Sequence, residues 1–245
     1  MSDRRLRELE RRWGETGDPE DEAALVRARL QAGVLDGERL ALAATCGSSL
    51  AQSLLPAPLE VPDVPADWGE ELLRRWGPEP LIRVAHVALE GVLATLPARE
   101  PSRLDLDPLI EGALRPALLE LRAALEGWLR EPPPAPRRPA RRTAEEVGRV
   151  AVRFSQAVAL SRRGPREGAL ALTAREQALG RALYPSRPCA VLLGHGPPRQ
   201  RTHAARQLAT GAVFALDPVD AEAGLARAAG PVAAWALGHP TPLGV

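Results

Sequence analysis

Proline and glycine divide this chain into short segments, and that division constrains its fold more than any other feature. The 245 residues include 25 prolines and 21 glycines. Asp18-Pro19 and Asp107-Pro108 each join a preferred N-cap residue to a proline that suits the first helical position. Gly33 follows an apolar segment with helical spacing, where a glycine readily ends a helix. The pattern predicts short helices joined by tight turns, as in an array of helical hairpins.

The apolar residues between these breaks favour helices over strands. The chain is 45% hydrophobic but only 3% aromatic. Alanine and leucine, both strong helix formers, supply much of the apolar fraction, and β-branched residues are few. We therefore predict an all-α protein, a helical-hairpin array or bundle, whose small side chains let helices pack closely.

The amino-acid usage also indicates the origin of the chain. Lysine and asparagine are absent, so arginine carries all of the basic side-chain charge. The scarce residues are those with AT-rich codons, whereas tryptophan, with a G-rich codon, is not depleted. This usage predicts a bacterium with a GC-rich genome. The net charge of +1 argues against a dedicated nucleic-acid-binding or membrane-surface protein.

Two features predict a cytoplasmic location. The first residues, MSDRRLRELERRW, are highly charged and lack the apolar stretch of a signal peptide. No apolar run is long enough to suggest a membrane span. The two cysteines, Cys46 and Cys189, lie far apart in sequence and are expected to be reduced core residues.

A proline-rich stretch suggests how the chain is divided into domains. Residues 131–142, EPPPAPRRPARR, disfavour both helix and sheet and are typical of a stiff, exposed linker. We therefore predict a helical-hairpin domain over residues 1–130 and a C-terminal helical domain over residues 143–245. A long surface loop inside one domain is the alternative. Thr143 and Glu146 form a capping box that begins the second domain with a helix.

The end of the chain permits two interpretations. The apolar runs at 189–194, 212–216 and 231–238 could be short strands, with helices at 199–210 and 219–229 between them. The C-terminal region would then be a small α/β unit following a helical N-terminal part. We favour helices throughout, because the runs are rich in alanine and the rest of the chain is helical.

The best candidate for ligand chemistry follows the first of these runs. Gly194, His195 and Gly196 precede a predicted helix start that carries Arg199 and Arg201. Backbone amides and arginines in such an arrangement could bind a phosphate group. However, no complete phosphate-loop pattern is present, and Pro197-Pro198 removes two amide donors. We favour an ordinary turn before a helix and keep phosphate binding as the alternative.

The predicted linker is also basic. Its arginines could contact a nucleic-acid backbone, although no aromatic residues are interleaved for base stacking. Because arginine replaces every lysine in this chain, such a run is less informative than usual. We favour a solvated linker and keep nucleic-acid binding as the alternative, through Arg137, Arg138, Arg141 and Arg142.

No motif indicates a catalytic or metal site, and we predict no cofactor. Neither a CxxC nor an HxxxH pair occurs, so His86 and His239 are expected to be core or surface histidines. A nucleophilic pair of Cys189 with His195 or His203 is conceivable but lacks a third partner.

Two segments resemble known sequences. QAGVLDGERLALAATCG (31–47) and VAAWALGHPTPL (232–243) are similar to segments of uncharacterised Ala/Leu/Arg-rich helical proteins from GC-rich bacteria such as myxobacteria. The resemblance covers a small part of the chain. It implies an all-α fold, including the last segment, and it implies no function and no site residues.

We therefore expect a non-catalytic interaction or adaptor protein whose partner is another protein. Stacked short helices present extended surfaces to partners, and no catalytic motif points to an enzyme. The alternatives are an enzymatic or nucleotide-binding C-terminal module, which needs the strands described above, and nucleic-acid binding through the arginine-rich linker.

Overall fold

The described part of the chain is all-α, which confirms the predicted fold class. The structure is a computed structural model, 80% helical and without strands among the residues it describes. These residues are 3–95, 112, 115–130, 188–189, 191–193 and 197–240. None of the helices described there is both long and apolar enough to cross a membrane.

The first 54 residues contain four helices, and the second begins directly after Asp18, as the Asp18-Pro19 pair predicts. The helices are α1 (Asp3–Thr16), α2 (Pro19–Gln31), α3 (Gly37–Thr45) and α4 (Ser49–Leu54). Asp18 accepts a hydrogen bond from the backbone N–H of Glu20 at 2.7 Å, and Asp36 accepts one from Arg39 at 2.8 Å. Each carboxylate thus satisfies an amide that has no partner inside the helix, close to the positive end of its dipole.

Glycines end two of these helices. Gly33 follows α2 with φ of 69°, and Gly47 follows α3 with φ of 84°. Other residues rarely adopt these left-handed conformations, because their Cβ atoms approach the following carbonyl oxygen. The chain can therefore turn sharply at these glycines, and the turn at Gly47 brings α3 against α4.

The later helices settle the interpretation of the C-terminal region. They are α5 (Pro65–Trp76), α6 (Glu79–Thr95), α7 (Arg115–Arg130), α8 (Pro198–Leu216) and α9 (Ala221–Ala236). Residues 212–216 end α8, and most of 231–238 belongs to α9. Residues 188–189 and 191–193 are also helical. The α/β interpretation was therefore wrong, because alanine-rich apolar runs have the helix propensity that governs here.

The chain is organised into two compact units. The split unit combines Met1–Val61 with Ala229–Gly244, and the central unit is Pro62–Ala228. The predicted linker at 131–142 lies outside the described residues, as does the helix predicted to begin at Thr143. The division that the structure gives therefore falls at the proline-rich segment near Pro62 and again near Ala229.

In the central unit, α8 packs against α5 and α6, and α6 also packs against α7. Leu72, Leu81 and Leu118 are fully buried, as the alanine- and leucine-rich composition predicts. The contact between α5 and α8 is very close. A Cβ atom on Gly69 would lie 2.5 Å from the Cβ of Ala209, so only glycine fits at this crossing.

In the split unit, the buried residues come mainly from α2 and α3. Leu25 and Val26 are fully buried in α2, and Leu40 and Leu42 are buried in α3. α1 buries no residue completely and covers the unit from outside. The unit also contains two buried charged side chains, Asp21 and Arg29, and the partners of Arg29 are described below.

Candidate functional site

One face of α8 forms a groove in the central unit, and we call it the α8 groove. Its volume is about 1050 Å³. Most of its lining comes from α8 itself, and Ala66, Pro188 and Val191 complete the described lining. The described lining residues on α8 are Arg199, Gln200, His203, Ala204, Arg206, Gln207, Thr210, Gly211 and Phe214.

The groove is long and differs in character between its two ends. From Arg199 to Phe214 it follows fifteen residues of helix, a distance of about 22 Å at ~1.5 Å per residue. Arg199 and His203 lie one turn apart at the N-terminal end, where the helix dipole is positive. Gly211 and Phe214 lie at the other end, where Phe214 is 41% exposed. The described lining contains no aspartate or glutamate.

Two polar side chains at the N-terminal end have no partner within the described residues. There, neither the Arg199 side chain nor the His203 side chain has a hydrogen-bond or ion-pair partner. Arg206 differs, because it contacts Glu70 at 2.8 Å and Asp67 at 2.9 Å. These carboxylates of α5, Glu70 first, raise the pKa of Arg206. Arg206 is thus held in place, whereas Arg199 and His203 can receive an acidic group.

The predicted phosphate-binding residues are only partly brought to this groove. Arg199 lines it, but Arg201 is absent from the described lining because residues two apart face different sides of a helix. The Nε of Arg201 is buried without a hydrogen-bond partner in the described structure. Gly194, His195 and Gly196 lie outside the described residues. The linker arginines Arg137, Arg138, Arg141 and Arg142 lie outside them as well.

Most residues of the groove were not predicted from the sequence. His203, Gln207, Thr210 and Phe214 recur at spacings of three or four residues, which places them on one side of a helix. This spacing predicts a shared helix face only if one helix extends as far as Phe214. The sequence predicts a helix over 199–210 and treats 212–216 as a separate apolar run, favoured as a helix with a strand as the alternative.

A second polar cluster joins α6 to α7, and we call it the His86 cluster. His86 Nε2 lies 3.5 Å from Glu126 Oε1 and 4.0 Å from Glu90 Oε1. Arg122 contacts Glu90 at 3.1 Å and Glu126 at 3.6 Å. Burial lowers the pKa of His86, although both carboxylates oppose the effect. His86 and Glu90 are one turn apart, but nothing in the sequence indicates that Glu126 folds beside them.

A third cluster holds the split unit together, and we call it the His239 cluster. His239 Nε2 lies 2.9 Å from Glu22 Oε1, and Nδ1 lies 3.5 Å from Arg29 Nη1. The ring stacks on Trp13 with centroids 4.2 Å apart. Arg29 also donates to the carbonyl of Leu237 at 2.9 Å. A neutral His239 that donates from Nε2 and accepts at Nδ1 satisfies both neighbours, so this cluster has a structural role.

The two cysteines are buried free thiols. Burial raises the pKa of Cys189 to about 12 and raises that of Cys46 as well. A thiol that stays protonated is a poor nucleophile. Cys189 is completely buried, so this environment argues against the nucleophilic pair of Cys189 with His203.

No known protein family matches the chain, and no curated protein or solved structure is similar to it.

Proposed function

We propose that this protein is a non-catalytic binding protein and that the α8 groove receives an acidic segment of a partner protein. The observation that carries this proposal is the unpaired Arg199 and His203 in a groove whose described lining contains no carboxylate. Complementary charge increases both the rate and the specificity of association.

The shape of the groove supports a peptide segment as the occupant. Its length of about 22 Å would accommodate six or seven extended residues at ~3.3 Å each, or about four turns of helix. Gln200, Gln207 and Thr210 can hydrogen-bond to a backbone along this path. Phe214 at the far end offers an aromatic contact of the kind that anchors interfaces. We therefore expect the partner segment to be acidic at one end and apolar at the other.

Peptide-library selection against the full chain tests the proposal. Selection should enrich sequences with Asp or Glu at one end, and fluorescence polarisation would then measure their affinities. The double variant Arg199→Glu/His203→Glu should weaken binding about tenfold or more, because like charges then face each other. The proposal is wrong if no acidic sequences are enriched, or if this variant binds them as tightly as the unmodified chain.

A matched control is available on α2. Arg27 and Gln31 are exposed and one turn apart, as Arg199 and His203 are. The variant Arg27→Glu/Gln31→Glu changes the net charge by the same amount and should leave peptide affinity unchanged. Inorganic phosphate added as a competitor distinguishes the phosphate-binding alternative, because a phosphate site at Arg199 would be saturated by millimolar phosphate.

The two other functions considered from the sequence receive less support. The enzymatic or nucleotide-binding module required strands at 189–194 and 212–216, and residues 212–216 are helical. Nucleic-acid binding remains a hypothesis about linker arginines outside the described residues. Replacing all four with serine should abolish binding to DNA or RNA if that hypothesis holds.

We further propose that the protein is cytoplasmic and bacterial. The two buried free thiols are consistent with a reducing compartment. The bacterial origin, and the resemblance to Ala/Leu/Arg-rich proteins of GC-rich bacteria, rest on the sequence alone.

A further inference from the structure

The His86 cluster contains the donor atoms of a metal site. His86 Nε2, a Glu90 oxygen and a Glu126 oxygen all lie within 4.8 Å of one another. A Zn²⁺ ion binds imidazole nitrogen and carboxylate oxygen at about 2.0–2.2 Å, so tetrahedral donors lie ~3.4 Å apart. The separation between His86 and Glu126 already has this value at 3.5 Å. The 4.0 Å separation between His86 and Glu90 needs only a small side-chain rotation.

The helices hold these donors in position before any ion arrives. His86 and Glu90 are four residues apart on α6, so they share one face, and Glu126 comes from α7, which packs against α6. The His86 side chain is only 5% exposed, so the helices around it hold the imidazole in place. Glu90 is 44% exposed, so water can complete the coordination.

The cluster already attracts a positive charge. The Arg122 guanidinium contacts both Glu90 and Glu126, and Arg130 contacts the other oxygen of Glu126 at 3.2 Å. Arg122 is 38% exposed, so its side chain can move into solvent at small cost because such exposed ion pairs contribute little. Arg130 can keep its contact to Oε2 while Oε1 of Glu126 turns to an ion.

We propose that His86, Glu90 and Glu126 form a binding site for a divalent transition-metal ion of the Zn²⁺ type, and that the ion displaces Arg122. The three protein ligands would leave one position for water. Binding exchanges the Arg122 contacts for metal–ligand bonds and involves no change in oxidation state. The site is independent of the α8 groove, so either proposal can fail without the other.

Titration of the full chain with Co²⁺, followed by visible absorption, tests this site, since the spectrum reports coordination by protein ligands. Zn²⁺ should then remove the Co²⁺ spectrum, and calorimetry should give one ion per chain. Glu126→Gln should weaken binding about tenfold or more, because it removes a direct ligand. Glu120→Gln, on an exposed position of the same helix, should have no effect.

The competition with Arg122 gives the most specific result. Arg122→Gln should tighten Co²⁺ binding by roughly three- to tenfold, since it removes two contacts, each of the size measured for exposed ion pairs. The proposal is overturned if neither the unmodified chain nor Arg122→Gln shows the spectrum. A spectrum unaffected by Glu126→Gln would overturn it too, as would weaker binding by Arg122→Gln. If circular dichroism shows that Glu126→Gln is unfolded, Glu90→Gln replaces it, because Glu90 is more exposed.

Discussion

A single hydrogen atom on the Gly69 Cα determines how closely α5 can approach α8. A methyl group there would lie 2.6 Å from the carbonyl oxygen of Ala205 and 2.5 Å from the Cβ of Ala209. Both neighbours are fixed parts of α8, so relief requires the helices to separate. The close packing of α5 against α8 therefore requires a residue without a side chain at position 69.

We therefore predict that Gly69→Ala destabilises the central unit by about 1–3 kcal/mol, as overpacked cores usually do. Urea denaturation followed by circular dichroism measures this effect. Gly127→Ala is the matched control, because Gly127 is also inside a helix but a Cβ there meets nothing within 4 Å. That substitution should be neutral or stabilising by up to about 1 kcal/mol. Equal effects of the two substitutions would show that close packing is not the cause.

His239 makes the stability of the split unit depend on pH. Burial lowers its pKa, although Glu22 opposes the effect and Arg29 reinforces it. The unfolded chain therefore takes up the proton first as pH falls below about 6.5. We predict that the contribution of His239 to the unfolding free energy is constant above that pH and is progressively lost below it.

Thermal unfolding at a series of pH values from 8 to 5 checks this prediction. His239→Gln should reduce the pH dependence, although part remains because burial also lowers the pKa of His86. A steeper loss of stability in the variant would contradict the proposed role of His239.

At the scale of the elements, side chains at the helix starts fix where α2 and α3 begin. We predict that Asp18→Ala and Asp36→Ala each cost about 1 kcal/mol, because each leaves a backbone amide without its acceptor. Urea denaturation measures both. Asp63→Ala serves as control, since Asp63 is exposed and lies outside the helices. A cost for Asp63→Ala as large as for the other two would indicate a general charge effect instead.

These caps were predictable from the sequence because their partners lie two or three residues away. The same reasoning could not place Glu126 beside His86, 40 residues apart, or His239 beside Arg29, 210 residues apart. Such contacts depend on how helices pack, which a periodic pattern does not specify. Arg199 and Arg201 show the opposite: residues close in sequence can lie apart in the structure. They are neighbours in sequence, yet helix geometry separates them, and only Arg199 lines the groove.

At the scale of the whole molecule, the split unit depends on a distant segment of chain. Arg29 is buried, and its partners Leu237 and His239 both come from that segment. Without them, the guanidinium would be left buried with only Glu10 as a partner. Removing one partner from a buried charge is strongly destabilising.

We therefore predict that residues 1–61 expressed alone are poorly folded, with weak helical circular dichroism and a broad, non-cooperative thermal transition. Adding a peptide of residues 229–245 should restore helicity in a saturable manner. The same peptide with Leu in place of His239 should restore less. A cooperative transition in residues 1–61 alone would contradict the prediction.

The two segments of the split unit are synthesised at different times. Met1–Val61 leaves the ribosome well before Ala229–Gly244 is made. At ~5–20 residues per second, the delay is roughly ten to thirty seconds. During this time the central unit is being translated. Arg29 of α2 still lacks its partners Leu237 and His239, so its buried site is incomplete. Residues 1–61 are thus made before the central unit but reach their final state only after it, and a nascent-chain chaperone would be needed there for longer than in the central unit.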